Sequence, residues 1–297
     1  MIINDTQVQT LIEALTYLRD FKDKTIVVKY GGNEMLNGQI KNKVLQDVVF
    51  LPCAGMRPVV VHGGGPEITA MLMQAGKKSE FVSGLRVTDA ESVGIAEMAL
   101  GGKINTDLVA RLNTLGGRAV GLNGKDANLV QAKKHLADVY ENGEVNLVDI
   151  GYVGNVEHVN TDLIEVLLAN GFIPVIAPTG VGSSGETYNI NADSVAGEIA
   201  GALKAEKLLV LTDVRGIYSD YRDENSFIST LTFEKAQELI IRGKIDGGMI
   251  PKVRACITAL SGGAKKTHII DGRAEHTILM EIFSDKGVGT EVVKELR

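Results

Sequence analysis

The 297-residue chain is long enough for one large α/β domain or two fused lobes, either with a sizeable core. Its 44% hydrophobic and 23% charged content is that of an ordinary soluble globular protein, and a net charge of -6 argues against nucleic acid as a main partner, which needs a basic face. No apolar run reaches the roughly 18 residues of a membrane span, and Cys53 and Cys256 read as two buried free thiols rather than a disulfide or a metal site.

From the N-terminus, which carries no basic or Arg/Ser-rich targeting segment, Val8, Leu11, Ile12, Leu15 and Leu18 recur at helical spacing and predict an amphipathic helix over 5–20. TIVVKYGG (25–32) reads as a buried strand running into a glycine turn, and RPVVVHGGGP (57–66) repeats the pattern after a helix near 39–54. Helices near 66–75 and 89–115 and a strand at 118–122 follow. Residues 128–159 alternate apolar and polar side chains between glycines, as antiparallel hairpins do. Helix 161–169, strand 172–178, helix 192–203 and strand 207–214 come next. Helices 233–242 and 249–261, strand 267–271, helix 275–283 and a strand near 290–294 complete the chain. This alternation predicts an α/β fold with an open, mainly parallel doubly wound sheet sandwiched by helices, plus β-hairpin insertions. The Gly-rich stretch 180–187 is the candidate seam between lobes.

In open parallel sheets ligands sit beyond the carboxyl ends of strands, where Gly31-Gly32 and Gly63-Gly64-Gly65 lie. One such loop is commonly a plain turn. Two, ending consecutive strands, point to binding of a phosphate or carboxylate on exposed backbone amides. None of the Gly-Lys pairs is followed by Ser or Thr, so no Walker A loop is present, and no G-x-S-x-G elbow accompanies the His62-Gly63-Gly64-Gly65 run. The literal G-x-G-x-x-G at 180–185 does not open a helix and reads as a hairpin, which leaves a dehydrogenase a weak alternative.

Lys29 lies in an otherwise apolar strand, where burial is costly unless it meets an anion. Lys252, in GGMIPKV, starts a helix and opposes its dipole, which an anionic ligand would explain. Each equally fits a snorkelling or solvated lysine. Asp193, in NINAD, is either an N-cap or a carboxylate that orients the lysines or helps hold Mg²⁺. Arg86, in SGLRVTD, is either a solvated loop residue or a bidentate partner for a carboxylate substrate. No base or cluster of metal ligands stands out among the five histidines. A carboxylate acceptor, already ionised at pKa about 4, needs no base. The set therefore points to phosphoryl transfer onto an anion.

VVKYGGN, VVVHGGGPEI, GLRVTD, YNINAD, LLVLTDVRGIY, GGMIPKV and EIFSDKGVGT together resemble the acetylglutamate kinases of the amino acid kinase superfamily, from about residue 6 to the C-terminus. The resemblance implies transfer of the ATP γ-phosphoryl group, with Mg²⁺, to the γ-carboxylate of N-acetyl-L-glutamate, the second step of acetylated arginine biosynthesis. It implies that Lys29 and Lys252 stabilise the transition state and that Asp193 organises them. Gly31, Gly32 and Gly63 would bind phosphate, and Gly64, Gly65, Arg86 and Asn189 the substrate. It further implies an oligomerisation helix at 1–22, an acetylglutamate lobe at 23–179 and an ATP lobe at 180–297. Members inhibited by arginine share the N-terminal helix and the EIFSDKG segment, so Tyr17, Lys207, His276, Glu281 and Gly287 would line an L-arginine site in a homohexamer. Photosynthetic relatives also bind the signalling protein PII. The implied location is the cytoplasm, or the plastid stroma for an organelle-encoded chain. Thr16 replaces a proline common in relatives, and Asn33-Glu34 the usual small residues after the first glycine pair. Other readings are another carboxylate or carbamate kinase, or an arginine-sensing module without catalysis.

Overall fold

The computed structural model describes residues 4–31, 38–141, 144–220, 222–284 and 287–295; Gly32, Asn33 and Glu34 therefore lie outside the described residues. The strands are β1 (Thr25–Tyr30), β2 (Arg57–His62), β3 (Phe81–Val82), β4 (Leu85–Arg86), β5 (Ala119–Asn123), β6 (Val130–Glu141), β7 (Glu144–Val159) and β8 (Ile173–Ala177). They continue with β9 (Thr179–Val181), β10 (Thr187–Asn189), β11 (Lys207–Thr212), β12 (Ile217–Tyr218), β13 (Phe227–Ile228), β14 (Thr230–Thr232), β15 (Lys266–Asp271) and β16 (Thr290–Val293). The helices are α1 (Asp5–Asp20), α2 (Gly38–Cys53), α3 (Gly65–Gln74), α4 (Ala90–Glu97), α5 (Asn105–Thr114), α6 (Asp162–Ala169), α7 (Ala192–Ala202), α8 (Phe233–Ile241), α9 (Met249–Gly262) and α10 (Thr277–Ile282).

Eight strands form one sheet in the order β14-β16-β15-β11-β1-β2-β8-β5. From β15 across to β5 every pair is parallel, and β16 reverses against β15. The expected open, mainly parallel sheet is therefore present. Its central strands are continuous Val/Ile/Leu runs because both faces are covered. Successive residues point to opposite faces, so Val27, Leu208 and Val210 pack with Val195, Val253 and Cys256 on one side. Ile26, Val28 and Leu209 pack with Val44, Leu72, Leu108 and Ile278 on the other. Helices α6 to α9 thus cover the first face and α2 to α5 with α10 the second. β6 and β7 form the expected hairpin, and β9 and β10 close against it as a small barrel. The G-x-G-x-x-G segment is indeed a hairpin turn, with Thr187 opposite Val181.

Several local features differ from the sequence reading. The helix expected over 89–115 is one rod whose middle, Met98–Ile104, widens into a π-helix around Gly101-Gly102. The short strands β3, β4 and β14 are too brief to leave a periodic signal. α10 starts late because His276 holds φ at 56°, a left-handed conformation that no helix interior tolerates. Cys256 is buried, which pushes its thiol up to about 12, but Cys53 at the end of α2 is exposed, which corrects the reading of two buried thiols.

Candidate active site

Gly31 and the Gly63-Gly64-Gly65 loop lie at the carboxyl ends of neighbouring strands and touch each other. A Cβ on Gly31 would stand 2.7 Å from the Gly63 nitrogen, so only glycine allows this approach. The Gly63 amide in turn donates to the Tyr30 carbonyl at 2.8 Å. Gly64 precedes α3 without a side-chain cap, and a Cβ there would collide with Ile104 and Leu100 of the π-helix. The π-turn is therefore packed directly onto the second glycine loop.

Lys29 leaves the end of β1 on the face that α7 and α9 cover. Its ammonium lies 3.0 Å from Asp193 Oδ1, while Lys252 Nζ, from the first turn of α9, lies 3.1 Å from Asp193 Oδ2. Asp193 is not the N-cap of α7. Asn191 is, with its Oδ1 accepting from the amides of Asp193 and Ser194 at 2.8 and 3.2 Å. That local exchange frees the Asp193 carboxylate to face both lysines. Burial pushes the Asp193 carboxyl up, but the charges of Lys29 and then Lys252 outweigh burial and hold it below the ordinary carboxylate range. Two ammonium groups on one carboxylate leave a local excess of positive charge.

This cluster borders a pocket of about 260 Å³ that also touches Gly63, Gly64, Gly65, Arg86, Asn189 and Asn191. The fold thus assembles Lys29, Asp193, the second glycine loop, Arg86 and Asn189 around one cavity, with Lys252 joined through Asp193. Arg86, on β4, is buried rather than a solvated loop residue. Its Nη2 donates to the Gly65 carbonyl and to Thr69 Oγ1, both at 2.9 Å, and Nη1 donates to Ser79 Oγ. Its guanidinium also lies 4.8 Å from the centre of the Phe81 ring. Asn189 ends β10 opposite Val153 and Thr179. Sequence reasoning missed Ser79, Thr69 and Asn191, which hold the site residues. Only Asn191 left a signal, as an Asn just before an apolar helix.

A second buried charge cluster lies elsewhere. Lys207 Nζ donates to Glu281 Oε1 at 2.9 Å and to the Glu281 carbonyl at 3.2 Å, and His268 Nε2 is 3.0 Å from the same Oε1. The Val288 amide donates to Glu281 Oε2 at 2.9 Å. Gly287, at φ 63°, passes so close that a Cβ would stand 2.6 Å from that oxygen. Burial raises the Glu281 carboxyl, but His268 and then Lys207 bring it down to about 2. Lys207 also lies 5.6 Å from the centre of the Phe21 ring, and Tyr17 packs edge-on against Phe283 of the α10 end. His276 is not among the residues that bond Glu281, since its Nδ1 pairs with Asp47 at 2.5 Å. His268 was not anticipated, because a histidine within an apolar strand usually reads as core.

A model described as the amino acid kinase family matches residues 24–271. The acetylglutamate kinase of Moorella thermoacetica is 58% identical over 283 residues, covering 95% of this chain and 96% of that protein. That of Pelotomaculum thermopropionicum is 55% identical over 285 residues, covering 96% and 97%. Among solved structures, N-acetylglutamate synthase from Neisseria gonorrhoeae, complexed with coenzyme A and N-acetyl-glutamate, has a TM-score of 0.81 at 27% identity over 98% of this chain. The chain spans 64% of that synthase's length. The same synthase complexed with coenzyme A and L-arginine has a TM-score of 0.79 at 26% identity over 97% of this chain, which spans 65% of it. The chain belongs to the amino acid kinase family and, within it, to the acetylglutamate kinases.

Proposed function

We propose, from that membership and the geometry of the pocket, that the chain transfers the γ-phosphoryl group of ATP to the γ-carboxylate of N-acetyl-L-glutamate, as a step of arginine biosynthesis. The observation that carries the reading is the meeting of two lysines, from different helix and strand ends, on one buried carboxylate beside the cavity. Phosphoryl transfer needs positioning and positive charge more than covalent help. Lys29 and Lys252 offset charge on the oxygens that change hands, and Asp193 fixes the distance between them. The acceptor carboxylate is ionised at neutral pH, so no side chain has to remove a proton.

Arg86 and Asn189 would hold the acetylglutamate, and the amides of Gly64 and Gly65 would meet the reacting groups, with Gly31, Gly32 and Gly63 shaping the phosphate side. Residues 23–179, with Asn189 of β10 paired to their β7, would then serve the amino acid and the rest of 180–297 the nucleotide, joined through the β1–β11 pairing. Magnesium would arrive with ATP as part of that substrate. Both Asp193 oxygens already face lysines, which fits orientation of those lysines better than metal ligation.

The Tyr17, Lys207, Glu281 and Gly287 region would take L-arginine as a feedback inhibitor, with His276 near by. The arginine complex of the related synthase supports this reading. α1 would associate with copies of itself in a homohexamer, since Leu11 and Ile12 on its apolar stripe are 63% and 59% exposed. PII would be a partner only in a photosynthetic setting. Among the described residues no helix is long and apolar enough to cross a membrane, and a cytoplasmic setting would match the bacterial relatives.

The test is formation of acyl phosphate from ATP and acetylglutamate, trapped by hydroxylamine. Hydroxamate above background is expected. Its absence with folded protein, or its formation only with carbamate or another carboxylate, would replace the substrate assigned.

A further inference from the structure

His62 and Asn105 have no part in the chemistry above, yet both are buried at the foot of the second glycine loop, at 0% and 3% exposure. Their hydrogen bonds form one directed chain. His62 Nδ1 lies 2.9 Å from the Gly63 carbonyl oxygen, which can only accept, so Nδ1 carries the proton. Nε2 then presents a lone pair, and Asn105 Nδ2 meets it at 3.1 Å. The other Asn105 amide proton goes to the Val175 carbonyl of β8 at 2.8 Å. The orientation of the imidazole is thereby set from the sheet through Asn105.

The consequence lies in a single peptide plane. The Gly63 carbonyl and the Gly64 N–H belong to the same trans peptide unit and point in opposite directions. Fixing that carbonyl on His62 fixes the direction of the Gly64 N–H at the pocket wall. The preceding amide, Gly63 N–H, is held separately by the Tyr30 carbonyl. Glycine supplies no side chain that could hold this loop, and its φ and ψ are otherwise free. Asn105 sits where the π-helix passes into α5, and the same π-turn presses Leu100 and Ile104 against Gly64.

We propose that His62 and Asn105 are positioning residues that aim the Gly64 amide at the reacting group through the Gly63 carbonyl. The proposal rests on the reading of this loop as a substrate contact.

Two substitutions separate the two ends of the ring. Asparagine places an amide N–H near the position of Nδ1 and can still donate to Gly63, whereas glutamine reaches the position of Nε2 and cannot. With the purified full-length chain, His62→Gln is expected to lower kcat about tenfold to a hundredfold, because small misplacements at a reacting centre are costly. KM for ATP should stay within about twofold, as ground-state binding is untouched. His62→Asn should keep turnover close to that of the unaltered chain at the same Tm loss. Equal kcat in the two variants, or losses that merely follow Tm, would overturn the proposal. Nitrogen-15 NMR of the histidine-labelled chain supplies a readout independent of activity. A protonated Nδ1 on His62 and a Gly64 amide resonance moved by His62→Gln but not by His62→Asn are expected; a protonated Nε2 overturns the proposal. If the unaltered chain forms no hydroxamate, the substrate reading fails, and these resonances still decide the positioning claim.

Discussion

Lys29 and Lys207 stand on neighbouring parallel strands, and each meets a buried carboxylate, yet the two sites are built for opposite ends. In the β1–β11 register Lys29 lies beside Val210 and Lys207 beside Ile26, three residues away. That separation is roughly 10 Å along the strand and reverses the face, since side chains alternate. Lys29 therefore emerges at the carboxyl end towards α7 and α9, and Lys207 at the amino end towards α10. Asp193 receives two lysines, leaving positive charge unbalanced beside a cavity. Glu281 is matched by one lysine, a histidine and a backbone amide, so each of its oxygens has a donor within the protein. A buried lysine is thus not by itself a sign of catalysis. The sign is a cation in excess of its internal partners, with space beside it for an anion.

Lys29→Ala and Lys252→Ala should each lower kcat by about 10³-fold, as removal of one preorganised charge or donor does elsewhere, while each variant still folds because the other lysine stays on Asp193. The measurement is hydroxamate formation alongside thermal unfolding, and unimpaired turnover would remove the assigned role. Glu281→Gln should act the other way. It leaves Lys207 buried without its counter-charge and costs about 3 kcal/mol of stability, while kcat in the absence of arginine stays near that of the unaltered chain.

The same carboxylate sets a pH dependence. Glu281 is held at about 2 against an ordinary 4.5, so the folded chain binds that proton more weakly than the unfolded chain does. Its contribution is fully present above pH 4.5 and fades as pH falls from there towards 2. Denaturant titrations across this window should show a shallower acid loss for Glu281→Gln than for the unaltered chain. A parallel slope would mean that Glu281 is not the group responsible.

A smaller effect is expected at the far side of the pocket. Arg86 uses its planar fork to join Gly65, Thr69 and Ser79, which a lysine cannot reproduce. Arg86→Lys should raise KM for acetylglutamate about tenfold, the loss of one or two charge-assisted hydrogen bonds, while KM for ATP is unchanged. Smallest is Leu11→Asp on α1. It should leave turnover and folding intact but shift the proposed hexamer to a smaller species in sedimentation; an unchanged assembly would place the interface elsewhere.

Lys29 and Lys252 were legible as residues, each out of keeping with its apolar segment, but neither segment says what the lysine faces. Asp193 read either as the cap of its helix or as a carboxylate orienting the lysines, and two positions decide the matter: Asn191 fits the cap geometry, which turns Asp193 inward. Arg86 looked like a loop residue because β3 and β4 are too short to mark the sequence. The π-turn is likewise invisible, since its glycines look the same as a break between two helices.

The sequence by itself determined the longer strands of the sheet, the two glycine loops at their carboxyl ends and the charged residues set among apolar ones. Period-two and period-3.6 patterns are local, and a glycine after a buried strand has few other uses. Only the tertiary structure decided which charges meet. Lys252 and Asp193 are 59 residues apart in the chain, and Lys207 and Glu281 are 74. Their meetings depend on a strand order of β14-β16-β15-β11-β1-β2-β8-β5 that no local pattern encodes. Parity along β1 and β11 then sends one lysine to each face of the sheet, which is why two similar residues serve one site with charge to spare and one that is balanced.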